Sequence, residues 1–128
     1  IPLFAAFDKD LNKGRVFSYD VTGGRYEEHD YYAVGSGSIF AKSSLKKMYS
    51  ENLDEQTAIR ISLESLYDAA EEDSATAGID LTREIYPVVS IINANGYKRI
   101  NDSKLNEIAT KIFSERKTRP DGPIARMS

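Results

Sequence analysis

The feature that most constrains the fold is a pair of helical patterns enclosed by two loops of small residues, within residues 33–78. The turn Gly35-Ser36-Gly37-Ser38 precedes the first pattern, and the polar loop Asp73-Ser74-Ala75-Thr76 follows the second. A short polar break at residues 50–53 separates the patterns, which predicts two antiparallel helices. Such a hairpin returns both loops to one end, where glycines let the backbones approach closely. We therefore predict the functional centre at this convergence of hydroxyls and a carboxylate.

The periodicity of apolar residues sets the bounds of the two helices. The first helix is predicted over residues 39–49 with Ser38 as its N-cap, and the second from the cap Asp54 to about Glu72. The residues at helical spacing on the second helix, which predict a core-facing stripe, are Ile59, Leu63, Leu66, Tyr67 and Ala70. A neighbouring face has small side chains that allow close packing: Ala58, Ser62, Ser65 and Ala69.

The segment before the helices is typical of antiparallel strands. Residues 15–20 are rich in aromatic and β-branched side chains, which predicts a strand. With the short apolar run at residues 4–7 and a continuation over residues 25–29 and 31–34, we predict a meander of three or four antiparallel strands. The loop from Asp8 to Gly14 resembles half of a calcium-binding loop. Its glycine is one position late, and Tyr19 occupies the place of the bidentate glutamate. We predict a polar hairpin turn without metal there, and a solvated strand end for His29, the single histidine.

The segment after the helices predicts a hairpin and a third helix. Residues 88–92 are apolar on both faces, as in a strand covered on each side, and Asn95-Gly96 predicts a turn into a return strand over residues 97–100. The last helix is predicted from Asn101 or Asp102. Its residues at helical spacing are Leu105, Ile108, Ala109 and Ile112. Residues 117–128 are charged and contain proline and glycine, which predicts a mobile tail. The order of elements predicts the α+β class.

Composition excludes several classes of function. The length of 128 residues suits one domain, and the net charge of -3 argues against a nucleic-acid surface or a patch for anionic membranes. The absence of cysteine excludes disulfides and thiolate zinc sites and fits a cytoplasmic protein. No apolar run spans a membrane, and nothing predicts a signal peptide. Since the chain opens Ile1-Pro2-Leu3 without methionine, we expect a fragment, a processed product or a partial chain.

The two loops, together with Asp80-Leu81-Thr82-Arg83-Glu84-Ile85-Tyr86-Pro87 before a strand, resemble bacterial proteasome β subunits of the actinobacterial type. The resemblance runs from about Phe4 to about Arg116 and covers the C-terminal half of such a subunit. It implies that residues 1–116 are the C-terminal half of a proteasome β-type domain. The implied fold is part of the four-layer αββα sandwich of the N-terminal-nucleophile hydrolases. An isolated copy would then expose strand edges and an apolar sheet face.

The resemblance implies part of a threonine-type endopeptidase that degrades unfolded proteins in a barrel of seven-membered rings and needs no cofactor. Its implied partners are other β subunits, the α-subunit ring, an upstream ATPase unfoldase and a protein or peptide substrate. Ser36, Asp73 and Thr76 match the serine, aspartate and serine that surround the terminal threonine of the family. Without the resemblance, Ser36 is more typical of a glycine-rich turn and cap, and Asp73 and Thr76 of a helix-ending loop with local hydrogen bonds, than of a functional site.

The chain departs from the family pattern in two ways. Thr76 replaces a serine but keeps its hydroxyl, whereas Ala77 replaces a glycine at a position where the backbone could require positive φ. No residue matches the threonine nucleophile, its lysine or the oxyanion-hole glycine, so the chain alone is predicted to be inactive. The alternatives are a non-catalytic structural subunit, α-type or degenerate β, and a small α+β binding module.

Overall fold

The computed structural model describes residues 1–124, which begin with a three-stranded antiparallel sheet. Its strands are β1 (Leu3–Asp8), β2 (Lys13–Tyr19) and β3 (Arg25–Glu28), in the order β1-β2-β3. Phe4 lies opposite Phe17, and their ring centroids are 6.5 Å apart. Aromatic pairs of this kind stabilise neighbouring strands. The predicted meander is confirmed with three strands.

The turn between β1 and β2 is organised by the carboxylate of Asp8. Its Oδ1 accepts hydrogen bonds from the amides of Asp10 and Leu11, both at 3.0 Å, and its Oδ2 accepts one from Arg15 at 3.1 Å. Asn12 takes a φ of 51°, which asparagine tolerates better than most residues. The predicted polar hairpin turn is confirmed, and that the loop binds no calcium stays a prediction.

Two packed antiparallel helices follow the sheet. Helix α1 spans Ser38–Met48 and helix α2 spans Glu55–Glu72, close to the predicted bounds. Asp54 caps α2 as predicted, because its carboxylate accepts a hydrogen bond from the amide of Thr57 at 2.7 Å. The prediction that Ser38 caps α1 is wrong. Gly37 is the N-cap, it makes no side-chain cap bond, and Ser38 is the first helical residue.

The prediction of a strand at residues 31–34 is also wrong, since the segment has no regular structure. Its aromatic side chains attach it to α1 instead. The ring of Tyr31 lies 5.4 Å from that of Tyr49, and the ammonium of Lys42 lies 4.8 Å from the centre of the Tyr32 ring. Tyr31 and Tyr49 border a small core between the helices, formed by Leu45, Met48 and Ile61. These contacts hold residues 31–34 on the helix rather than in the sheet.

A β-hairpin connects α2 to the last helix. Its strands are β4 (Ser90–Asn93) and β5 (Gly96–Arg99), and Gly96 takes the positive φ of 104° that the predicted turn requires. The strand predicted over residues 88–92 therefore begins two residues late. Its predicted coverage on both faces is wrong for this chain: Val88 is 69% exposed and Ile92 is 38% exposed. Ile91 packs against the helical core, whereas its neighbour Ile92 points to the other face and is exposed.

Helix α3 (Asp102–Arg116) completes the main core. Asn101 caps it by accepting a hydrogen bond from the amide of Lys104 at 2.9 Å, in agreement with the predicted start. The core joins α2, α3 and the end of β5, and its buried residues are Ile59, Leu63, Ile100, Leu105, Ile108 and Ile112. The α+β class is confirmed. Helices packed on antiparallel strands are consistent with part of the sandwich that the resemblance implies.

The segment after α3 folds back toward α1. The ammonium of Lys47 donates to the carbonyl of Asp121 at 2.6 Å, and Arg116 donates to the carbonyl of Pro120 at 3.0 Å. The mobility predicted for residues 117–128 stays a prediction, and residues 125–128 lie outside the described part of the chain. Within residues 1–124, no helix combines the length and the apolar character that crossing a membrane requires.

Candidate functional site

The helix hairpin brings the loop before α1 into contact with the loop after α2. Ser36 and Asp73 lie 37 positions apart in the sequence, and the hydroxyl of Ser36 donates a hydrogen bond of 2.6 Å to Asp73 Oδ2. The hydroxyl of Thr76 donates to the same oxygen, also at 2.6 Å. All three residues that the resemblance singled out therefore meet in one hydrogen-bonded group, which we call the Asp73 cluster (Ser36, Asp73 and Thr76).

The loop itself holds the Asp73 carboxylate in place. Its second oxygen, Oδ1, accepts a hydrogen bond from the amide of Ala75 at 3.3 Å, and the Asp73 amide bonds to the carbonyl of Ala69 at 2.9 Å. The hydrogen bonds from Ser36 and then Thr76 lower the pKa of the Asp73 carboxyl below its ordinary value. The carboxylate is thus ionised at neutral pH and fixed by neutral donors.

This pattern of donors determines what the cluster can bind. Because the hydroxyls of Ser36 and Thr76 direct their hydrogens to Asp73, each hydroxyl oxygen keeps lone pairs that can accept a further hydrogen bond. The whole group carries one negative charge and offers acceptors. It is therefore suited to a cationic or neutral donor such as an amine, and it disfavours an anion.

The backbone around the cluster tolerates the two substitutions in the family's loop, Thr76 and Ala77. Thr76 keeps the hydroxyl and uses it. Among the described residues, the non-glycine residues with positive φ are Asn12 and Glu84, so Ala77 is not in the conformation that would penalise alanine. Gly35 is the residue near the cluster that needs its flexibility, since it has a φ of 105°.

The cluster opens into a mostly apolar groove of about 440 Å³. Ser36, Gly37 and Thr76 line it at one end. Its apolar wall comes from β1, the segment before α1 and both helices: Leu3, Tyr32, Val34, Ala41, Leu45 and Leu66. A polar group at the edge of an apolar groove is the usual arrangement of a binding site, in which the few polar atoms fix orientation.

The other candidates from the sequence lie elsewhere. His29 is exposed just after β3 and does not line the groove. Asp8 is occupied by the turn between β1 and β2. Neither residue joins the Asp73 cluster, as the sequence indicated.

Sequence reasoning missed a buried ion pair between α2 and α3. The side chains of Glu64 and Arg116 are 1% and 4% exposed, and Arg116 contacts Glu64 Oε1 through Nη2 at 3.1 Å and Asp68 Oδ1 through Nη1 at 2.6 Å. Its guanidinium also lies 4.5 Å from the centre of the Tyr67 ring. Burial raises the pKa of the Glu64 carboxyl, and the nearby charges of Arg116 and Arg60 oppose that rise. The sequence did contain a signal for this ion pair, because Arg116 follows Ile112 by four residues and therefore lies on the core face of α3.

Comparison with known proteins identifies the family. The proteasome subunit family matches residues 1–82 of the chain. This chain belongs to the proteasome family. The protein named proteasome subunit beta of Streptomyces griseus is 51% identical over 127 residues, which cover 99% of this chain and 45% of the relative. The corresponding protein of Acidothermus cellulolyticus is 50% identical over 129 residues, covering 98% of this chain and 44% of the relative.

A third relative also matches nearly the whole of this chain but less than half of its own length. Proteasome subunit beta of Streptosporangium roseum is 48% identical over 125 residues, covering 98% of this chain and 44% of its own length. The predicted resemblance to bacterial proteasome β subunits is therefore confirmed. The chain spans less than half the length of these curated relatives.

Proposed function

We propose that this chain is part of a proteasome core-particle β subunit that acts, when complete, as a threonine-type endopeptidase. Within it, the Asp73 cluster supports the terminal threonine. The observation that carries the proposal is the pair of 2.6 Å hydrogen bonds from Ser36 and Thr76 to one oxygen of Asp73. The three residues match the family pattern and come from two loops that only the helix hairpin brings together.

The chemistry of a terminal threonine explains what the cluster contributes. A hydroxyl is a weak nucleophile, and the α-amino group of the same residue can act as its base. That amine has a pKa close to the working pH, so the protein mainly has to orient it. The free lone pairs on Ser36 and Thr76 would accept hydrogen bonds from the amine. Asp73 would keep both hydroxyls turned in the required direction, because it fixes where their hydrogens point.

The cluster alone does not make a protease. None of the residues in this chain matches the threonine nucleophile, its lysine or the oxyanion-hole glycine of the family. We therefore propose that the chain is inactive by itself and cleaves protein or peptide substrates only within the complete, assembled subunit. The proposed setting is the cytoplasm. The proposed partners are other β subunits, the α-subunit ring and an upstream ATPase unfoldase.

The test is the substitution Asp73→Asn in the complete subunit, measured on assembled and processed particles. The amide keeps the shape but cannot accept two hydroxyl hydrogen bonds with the strength of a carboxylate. We expect kcat/KM on a short fluorogenic peptide to fall about ten- to a hundredfold, which corresponds to about 1.4–3 kcal/mol of transition-state stabilisation. Unchanged turnover with a lowered melting temperature would show that Asp73 only ends α2.

The chain offers a matched control for this substitution. Asp20, at the end of β2, also accepts two hydroxyl hydrogen bonds, from Thr22 and Tyr26, both at 2.8 Å. The change Asp20→Asn therefore removes from a turn another carboxylate that accepts two hydroxyl hydrogen bonds. We expect it to leave kcat/KM unchanged, which would assign the loss in Asp73→Asn to the cluster and not to a general effect of losing a bonded carboxylate.

A further inference from the structure

Gly37 lies where the start of α1 approaches the end of α2 most closely, and it is buried there. A Cβ atom added to it would lie 2.5 Å from Thr76 Oγ1, 3.2 Å from the Cβ of Ala69 and 3.3 Å from Asp73 Oδ2. The first of these distances is too short for any real contact. An alanine at this position must therefore displace the hydroxyl of Thr76 from its present place.

Neither the backbone nor the helix end explains a glycine at this position. Gly37 has φ -90° and ψ 7°, a conformation that other residues also adopt. As the N-cap of α1 it provides no side-chain hydrogen bond, although Ser, Thr, Asp or Asn would provide one. The helix thus lacks a favourable cap, and the space taken by Thr76 and Asp73 is what excludes a side chain.

From this geometry we infer that Gly37 is a positioning residue for the Asp73 cluster, an inference that rests on the proposed function. Its missing side chain lets the Thr76 hydroxyl and the Ser36 hydroxyl reach Asp73 Oδ2 at the same time, each at 2.6 Å. Gly37 borders the groove but has no side chain with which to bind the amine. It acts through Thr76, whose oxygen occupies the space that a side chain at position 37 would fill.

The expected effect of Gly37→Ala follows from the displacement. To restore ordinary contact with the new methyl group, the Thr76 hydroxyl must move by roughly 1 Å, and errors of that size in a catalytic arrangement can cost about a hundredfold in rate. We expect kcat to fall at least about tenfold while KM stays within about twofold, because the apolar wall of the groove does not change and only the hydroxyl at its polar end is displaced.

A double-mutant cycle separates this role from simple packing. Thr76→Ala removes the oxygen with which the new methyl group would collide, leaving only the two contacts above 3 Å. In the Thr76→Ala background, Gly37→Ala should therefore lower kcat by less than about twofold. If Gly37→Ala instead lowers kcat in that background by the same factor as in the unmodified subunit, Gly37 does not act through Thr76 but through Ala69 or Asp73, and the inference is overturned.

The experiment uses the complete subunit in assembled, processed particles, with kcat and KM measured on a fluorogenic peptide for Gly37→Ala, Thr76→Ala and the double variant. Gly14→Ala is the control, because a Cβ at Gly14 meets nothing within 4 Å, and it should match the unmodified subunit. A Gly37→Ala subunit with kcat within about twofold of the unmodified one would overturn the inference.

Two further outcomes are informative. If the Gly37→Ala subunit does not assemble, the double variant with Thr76→Ala decides. A double variant that assembles and has the same activity as Thr76→Ala supports the inference. A double variant that also fails to assemble overturns it. Asp73→Asn, measured beside these variants, distinguishes the two proposals. If it leaves kcat unchanged, the proposed function and the inference both fail. If it lowers kcat while Gly37→Ala does not, only the inference fails.

Discussion

The buried ion pair of Glu64 and Arg116 allows a prediction of stability that is independent of the functional site. Arg116→Met keeps much of the aliphatic length and removes the charge. It leaves the Glu64 carboxylate, 1% exposed, with the guanidinium of Arg60 at 3.8 Å as its remaining cationic neighbour. Removing one partner of a buried pair typically costs about 3–5 kcal/mol, because an uncompensated charge stays buried. We expect a loss of that size in the free energy of unfolding at pH 7.

The pH dependence of this loss follows from the same geometry. Without Arg116, burial raises the pKa of Glu64 further above its unfolded value. A group whose pKa is raised on folding favours the folded state at low pH and loses that contribution as pH rises through the folded pKa. The difference between Arg116→Met and the unmodified chain should therefore shrink as pH falls and Glu64 takes up a proton.

The assay is urea unfolding of the chain, followed by circular dichroism, with two comparisons. In a Glu64→Leu background, Arg116→Met should cost much less, because no buried charge is left behind, and only the partly exposed Asp68 loses its partner. Arg83→Met removes an exposed cation, 79% accessible, and should change stability by less than about 0.5 kcal/mol. A cost below about 1 kcal/mol for Arg116→Met, or the same cost in both backgrounds, would refute the reasoning.

Three further predictions concern the surface. Glu84→Gly should raise the free energy of unfolding by about 0.5–1 kcal/mol in thermal melts, since Glu84 has a φ of 57°, whereas Thr82→Gly should give no gain. Hydrogen bonds from Arg15 lower the pKa of Glu27 to about 2, so Glu27 stabilises the fold above its unfolded pKa and loses this effect as pH falls toward 2. Its pKa, followed by NMR, should return to about 4.3 in Arg15→Met. Calorimetric titration should detect no calcium site; a micromolar site abolished by Asp8→Ala would contradict this.

The helices could be predicted from the sequence because each has apolar residues at helical spacing on a buried face. The stripe of α3, from Leu105 to Ile112, is buried as its spacing indicated, and the caps Asp54 and Asn101 accept the expected amide hydrogen bonds. These features are local, since each depends on residues three or four positions apart. They are therefore visible without knowledge of the tertiary structure.

The errors have a common cause, which is that tertiary contacts overrode local preference. Residues 31–34 have the composition of a strand, but the ring of Tyr31 packs on Tyr49 instead. Val88 and Val89 precede the strand, although the carbonyl of Val89 accepts a hydrogen bond from Ile100 at 2.8 Å beyond the end of the ladder. Neither the packing of a tyrosine on a distant helix nor the end of a ladder is encoded by local propensity.

The candidate site shows the same division between local and tertiary information. That Ser36 and Asp73 would meet followed from two helices joined by a short break. The helix start was misplaced by one residue because Ser38 satisfies the usual preference for an N-cap, whereas the cap is Gly37, where Thr76 leaves no space for a side chain. Arg116 was predicted only as the last residue of the domain before the charged tail, although its spacing from Ile112 indicated the core face of α3.

Helix α2 carries both the buried ion pair and the Asp73 cluster, and this arrangement makes the two roles separable. Glu64 faces α3, whereas Asp73 faces the start of α1 about two and a half turns later. Weakening the ion pair should reduce the amount of folded, assembled subunit while kcat per assembled site stays the same. Changing Asp73 should lower kcat per assembled site while the amount of folded, assembled subunit stays the same, because its hydrogen bonds involve loops and add little to the core. A variant of Arg116 that lowers kcat per site without lowering assembly would show that α2 transmits strain between the two ends, and that stability and catalysis are not independent in this helix.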